Sequence, residues 1–222
     1  MKKMKQKLLA GIMIVFTAAF LTACSVKFDA GGYTKAVLDV SYKNEAEEYI
    51  ELTRANRKDA EALFEQKLDA VVNEFAASDF PEDLKNKYRE LLGDMMKQVK
   101  YSVGEAAETE DKNYTVDVTV EPMTIFTDTY EEFQKQSQEY TTRISNDVMN
   151  GADMPSETEM HNQVYEIYYN VLRAALDEGV GYGEQESITV HVNKNDDDKY
   201  GILEEDLTEL DKKLISMDIP EE

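Results

Sequence analysis

A change of hydrophobic period is the feature that most constrains the fold of this chain. Over residues 114–121, the apolar side chains Tyr114, Val116, Val118 and Val120 alternate with polar ones, whereas the preceding segments repeat their apolar residues every three or four positions. Alternation is typical of a strand with one buried and one wet face, and the longer spacing is typical of amphipathic helices. The sequence therefore predicts a mixture of helices and antiparallel strands.

Two hairpins and a series of helices follow from this pattern. The first hairpin joins residues 101–108 to 114–121, and the second joins an alternating strand around Val190 to residues 199–203. Helical spacing is found near residues 33–40 and 49–52, and over 57–77, 81–99, 128–150, 156–175 and 207–214. Asp128 is expected to cap the helix that follows it, and Ser156 with Glu159 is expected to form a capping box.

These elements predict an α+β fold, with helices packed on one face of a mostly antiparallel sheet of about four strands. The two halves, residues 33–123 and 124–222, share the order helix, helix, strand, strand. Two degenerate ααββ repeats, derived from a duplication, and a chance similarity of the halves both remain open. No low-complexity linker separates the halves, so residues 33–222 are predicted to form a single α+β domain.

The first 23 residues have the pattern of an export signal. Residues 2–7 contain four lysines, and residues 8–21 form an uncharged, almost wholly apolar run. As a helix this run would span about 21 Å, short of the bilayer core of about 30 Å. Small residues then lead into Cys24, the only cysteine of the chain. A positive segment, a short apolar run and small residues at its end predict a secretory signal peptide.

The segment Leu21-Thr22-Ala23-Cys24 resembles the lipobox of bacterial lipoproteins. The resemblance implies that the Cys24 thiol carries a diacylglycerol, with fatty acids such as palmitate, and that cleavage leaves Cys24 first. Residues 24–32 would then be a tether, and the membrane would be a partner through the lipid at its extracytoplasmic face. Loss of residues 1–23 would change the formal net charge from -22 to -26. A short membrane anchor and an ordinary signal peptide are the alternatives.

Segments of the mature chain also resemble uncharacterised lipoproteins of gut clostridia. Residues 28–33, 35–39, 99–106 and 120–123 carry this resemblance. It implies the same cellular address and agrees with the predicted fold. The segments contain no catalytic signature, so the resemblance implies no activity.

Composition excludes several classes of function. The balance of 24 basic and 46 acidic residues argues against nucleic acid as a partner, because phosphate contacts require clustered lysine and arginine. A single cysteine excludes an internal disulfide, and two histidines leave little for catalysis or metal binding. We therefore predict no catalytic residues, no metal site and no cofactor, and we expect a non-enzymatic protein.

Local patterns that suggest ligand sites have simpler interpretations. Glu157 and His161 are spaced like two metal ligands on a helix but lack further ligands, and His191 is expected on the wet face of its strand. Residues 193–204 partly match a calcium loop but lack its central glycine, so a hairpin turn is expected. The glycines of residues 179–183 follow a helix rather than precede one, so they are expected to cap it rather than to bind phosphate.

The remaining functional candidate is a group of tyrosines on one helix. Tyr168 lies on the apolar stripe, whereas Tyr165 and Tyr169 flank it and are predicted to form a binding surface. Beside an acidic body, such a surface would favour a ligand with apolar and cationic character. We expect a binding or interaction module whose partner is an envelope protein, a peptide or a small ligand. A cell-envelope hydrolase with an unrecognised carboxylate pair, and a structural spacer, are the alternatives.

Overall fold

The computed structural model describes residues 28–75, 80–195 and 198–215. The predicted signal peptide and Cys24 lie outside the described residues. Along the chain the elements are α1 (Ala30–Leu38), a π-helical segment (Asp39–Lys43), α2 (Glu47–Thr53), α3 (Arg57–Phe75), α4 (Glu82–Met96), β1 (Lys100–Glu108), β2 (Tyr114–Glu121), α5 (Ile125–Asp128), α6 (Tyr130–Met149), α7 (Glu157–Glu178), β3 (Glu186–Lys194), β4 (Tyr200–Ile202) and α8 (Glu204–Leu214).

The four strands form one antiparallel sheet in the order β1-β2-β3-β4. Both predicted hairpins are confirmed, because β1 pairs with β2 and β3 pairs with β4. The central pair joins the two halves of the chain, with Val118 opposite Ile188. The predicted α+β class and the antiparallel sheet are therefore confirmed.

One face of the sheet is buried under helices. The alternating residues of β2 and β3, among them Val116, Val118, Val190 and Val192, are buried on this face. The residues between them are polar and are exposed or half-buried. Helix α1 packs on β1 and β2, and α8 packs on β2 and β3. The alternation of the sequence therefore separates the core from the wet face, as the pattern predicts.

Two glycines allow α1 to approach the edge of the sheet. A Cβ atom added at Gly31 would lie 3.2 Å from the carbonyl oxygen of Gly104, and one added at Gly104 would lie 3.1 Å from the carbonyl oxygen of Asp117. The β1–β2 register shifts between Val103 and Ala106, which indicates a bulge at this point. Side chains at these positions would push the helix and the two strands apart.

Of the two helix caps predicted from the sequence, one agrees with the structure and one does not. Ser156 and Glu159 form the predicted capping box at the start of α7. The prediction that Asp128 caps the long helix is wrong, since the cap position is Thr129 and has no side-chain cap bond. The short helix α5 already occupies the preceding turn, and the Asp128 carboxylate accepts a hydrogen bond of 2.6 Å from the Thr124 hydroxyl.

Candidate functional site

The predicted tyrosines lie where α7 packs beside α4. The Tyr165 ring lies 4.4 Å from the Phe80 ring, and the Tyr169 ring lies 5.7 Å from the Tyr88 ring, measured between centroids. Both tyrosines are half-buried. We call Tyr165 and Tyr169 the tyrosine rim. Each ring is packed on one side and partly exposed on the other, and a binding role for the rim stays a prediction.

A lysine of α4 lies over this rim. The Lys87 ammonium is 5.6 Å from the Tyr169 ring centroid and 2.5 Å from the Glu166 carboxylate. This arrangement holds a cation near the face of Tyr169 within the protein itself. The ammonium of Lys87 is thus placed near Tyr169 and is paired with Glu166.

Beneath the rim, aromatic rings fill the space between the helices. Tyr168 lies between Phe75 and Phe133, at centroid distances of 6.1 and 4.5 Å, and burial raises its pKa to about 12. The buried Tyr88 hydroxyl donates a 2.7 Å hydrogen bond to the Tyr165 carbonyl oxygen, and burial raises the pKa of Tyr88 strongly. These contacts fix the position of α7, so the rim has a rigid base.

Beyond the rim, α6 and α7 form a hairpin that extends away from the core. Tyr140 is the buried residue of α6, and the buried residues of α7 all lie in its last two turns, from Val171 to Leu176. No residue from 141 to 163 is buried. We call residues 141–163 the hairpin arm. The amphipathic pattern of the sequence predicts two helices here, but it gives no sign that they leave the core.

The tip of the hairpin arm carries two exposed methionines. Met149 ends α6 and is 73% exposed, and Met154 lies in the connection to α7 and is 62% exposed. Among the described residues, these two are the large hydrophobic residues that are exposed to solvent. Three other methionines, at positions 95, 96 and 123, are buried. The exposed pair was not recognised from the sequence, because neither methionine is part of a helical stripe and a local pattern gives no measure of exposure.

A shallow depression runs along the outer side of α6. It is lined by Lys135, Gln138, Glu139, Thr142, Arg143, Asn146 and Asp147. All of these residues belong to one helix, so the depression cannot enclose a small molecule, as small-ligand sites usually do.

A buried carboxylate lies in the π-helical segment. Asp39 accepts a 2.6 Å hydrogen bond from the Tyr101 hydroxyl. Its carboxylate also forms an ion pair with Lys35, and the Lys43 ammonium lies 3.5 Å from it. Burial by itself raises the pKa of Asp39, but the hydrogen bonds from Lys35 and Tyr101 outweigh it and hold the pKa below its ordinary value. The four-residue spacings of the lysines are visible in the sequence, whereas the contact with Tyr101 across 62 positions is not.

The second buried carboxylate, Asp206, binds β3 at His191. It accepts a 2.6 Å hydrogen bond from the His191 backbone N–H, and the His191 Nδ1 lies 3.1 Å away. Asp39 and Asp206 are the buried acids of the described residues, and each is bonded to groups of a neighbouring element. Both carboxylates are therefore accounted for by contacts that hold the fold.

Among the residues that the structure describes, the metal-ligand candidates of the sequence are not brought together with further ligands. Glu157 and His161 are exposed on α7, and within the described ranges no group of three metal-binding side chains comes together. In the segment 193–204, which partly matches a calcium loop, Asp197 lies outside the described residues. The flanking Asn195 backbone N–H bonds to the Lys199 carbonyl oxygen at 2.8 Å, as in the predicted hairpin turn.

The glycine-containing segment after α7 has the structural role that the sequence predicts. Gly179 has a φ of 108° and terminates α7. The Thr124 N–H bonds to the Gly181 carbonyl oxygen, and the Gly183 N–H bonds to the Pro122 carbonyl oxygen. The segment therefore closes against residues 122–124 through these two backbone hydrogen bonds.

Comparison with known proteins identifies the fold but not a family. No family model matches this chain, and no curated protein matches it. A solved structure with a similar fold is that of YcdA, a candidate lipoprotein of Bacillus subtilis, with 15% sequence identity and a TM-score of 0.58. The similarity covers 86% of this chain and 57% of that protein. None of the helices in the described ranges is both long and apolar enough to cross a membrane.

Proposed function

We propose that this protein is a lipid-anchored extracytoplasmic protein that acts as a non-catalytic interaction module. Three features support the anchor: the positively charged residues 2–7, the short apolar run 8–21 and the lipobox sequence Leu21–Cys24. The fold similarity to a candidate lipoprotein of Bacillus subtilis agrees with this proposal. Two acyl chains on Cys24 would hold the folded part, which begins at α1, close to the membrane surface.

The hairpin arm carries the second part of the proposal. A segment without any buried residue from 141 to 163 adds little to the stability of the core, yet its ordering costs conformational entropy. Its helices are nevertheless well ended, with a capping box at Ser156 and a glycine of positive φ at Gly151. An ordered surface of this kind is suited to contact with another macromolecule. The tyrosine rim at its base extends the same surface.

The anchor is tested by metabolic labelling with an alkyne-bearing fatty acid. We expect the wild-type protein to be labelled and the Cys24→Ala variant to remain unlabelled, because Cys24 supplies the only thiol of the chain. In cell fractionation, the Cys24→Ala variant would leave the membrane fraction only if its uncleaved signal peptide did not retain it there. Labelling is therefore the decisive measurement. Equal labelling of both proteins would refute lipidation at Cys24.

A further inference from the structure

The tip of the hairpin arm combines exposed thioethers with negative charge. Met149 and Met154 are exposed there, and the acidic residues around them are Asp147, Asp153, Glu157 and Glu159. No lysine or arginine occurs between residues 144 and 172. Methionine side chains are flexible and polarizable and adapt to different apolar surfaces. The tip therefore offers adaptable apolar contact inside a negative field.

The negative charge of the tip favours one class of binding partner over the others. An anionic membrane surface would repel the tip, since the attraction of peripheral segments to such membranes depends on lysine and arginine. A second copy of the tip would repel it for the same reason. A segment that presents an apolar stripe flanked by basic residues would match both the methionines and the carboxylates. An amphipathic cationic helix has this arrangement.

We propose that the tip of the hairpin arm, residues 146–160, binds cationic amphipathic helices of peptides or proteins. The inference rests on the proposed function, since it names the class of partner for the interaction module. The apolar stripe of the helix contacts Met149 and Met154, and its basic residues lie near Asp147, Asp153 and Glu157. Glu159 is bonded to Ser156 in the capping box, so it contributes mainly to the local field.

The test is a titration of a fluorescent amphipathic Lys/Leu peptide with the full chain in non-ionic detergent, followed by anisotropy. Peptide with detergent alone is the blank. A permuted peptide of the same composition, without an apolar stripe, tests the need for amphipathicity. The wild-type protein should bind the first peptide and not the second. Binding should weaken with added salt, because salt screens exposed charges.

Two variants locate the binding surface. Met149→Ser combined with Met154→Ser should weaken binding about tenfold, because two apolar contacts are lost. Asp147→Asn combined with Asp153→Asn should weaken it to a similar extent at low salt. The matched control, Glu51→Gln with Glu90→Gln, removes two exposed carboxylates of α2 and α4 and should leave the affinity unchanged. Thermal unfolding should be the same for all of these proteins.

Each contrary outcome has a distinct meaning. If all variants bind like the wild type, the peptide is held by the acidic body and the inference is wrong. If no protein binds the peptide, the class of partner is wrong, although crosslinking from the arm in intact cells would still support an interaction module. If phosphatidylglycerol added to the detergent micelles protects Met149 and Met154 from oxidation, and the non-ionic detergent alone does not, a membrane is the occupant and the inference is overturned.

Discussion

Replacement of Asp39 by asparagine is expected to destabilise the fold by a measurable and pH-dependent amount. The Asp39 side chain is 6% exposed and connects the π-helical segment to β1 through Tyr101 and to α1 through Lys35. Asparagine keeps the shape and an accepting oxygen but removes the negative charge. The substitution therefore tests the charge of this residue rather than its volume.

The expected loss can be derived from these contacts. Hydrogen bonds to a charged group contribute about 1.5–3 kcal/mol each to stability. The Lys35 side chain is 52% exposed, so its ion pair is screened by solvent and counts for much less than the bond from Tyr101. A total near 2 kcal/mol would lower the melting temperature by about 4–8 °C in a domain of this size.

The pH dependence follows from the direction of the pKa shift. Because hydrogen bonds hold the pKa of Asp39 below its ordinary value of about 3.9, its contribution to stability is fully present above that value. The contribution is lost as the pH falls through the lower pKa of the folded state. The difference between wild type and Asp39→Asn should therefore be constant near neutral pH and should shrink in acid.

Thermal unfolding followed by circular dichroism between pH 7 and acid measures both effects. Asp153→Asn, at an exposed position of the hairpin arm, is the matched control and should melt like the wild type. A melting temperature of Asp39→Asn within about 1 °C of the wild type at pH 7 would refute the reasoning. A difference that stays constant through the acid range would show that the charge of Asp39 is not its cause.

Two further substitutions separate the core from the hairpin arm. Leu172→Ala should reduce the free energy of unfolding by about 2–5 kcal/mol, because Leu172 is fully buried in the core half of α7. Urea unfolding measures this loss and should give an unchanged m-value. A loss below about 1 kcal/mol would contradict the placement of Leu172 in the core. Ser156→Ala should cost about 0.5–2 kcal/mol locally and speed amide exchange in the first turn of α7, while global unfolding in urea changes little. A large global loss from Ser156→Ala would mean that the arm belongs to the cooperative core.

The sequence predicts the local elements of this fold well, because their signals are local. The alternation over 114–121, the turn residues and the capping box at Ser156 each depend on residues a few positions apart. Asp128 shows the limit of this approach. It is already the last residue of the short helix α5, which the sequence does not reveal because four residues give no clear period. The pairing of β2 with β3 also lies beyond local patterns, because it joins strands more than 60 residues apart.

The candidate surfaces were only partly visible in the sequence. Tyr165 and Tyr169 flank the apolar stripe of α7 as the helical period predicts, and the structure places both beside α4. The position of Lys87 over Tyr169 depends on how α4 and α7 pack, which no local pattern specifies. The hairpin arm was missed for a related reason. A helical period shows which side of a helix is apolar, but it does not show whether a core lies against that side.

The central claim, that the hairpin arm and the tyrosine rim form the contact surface of this protein, is tested most directly by site-specific crosslinking. A photoreactive phenylalanine analogue would replace Met154 in the arm, Tyr165 in the rim, or the exposed Lys212 of α8 as a control, and intact cells would be irradiated. We predict a discrete crosslinked product from positions 154 and 165 and none from position 212. The same product from all three positions, or a product from position 212 alone, would contradict the account.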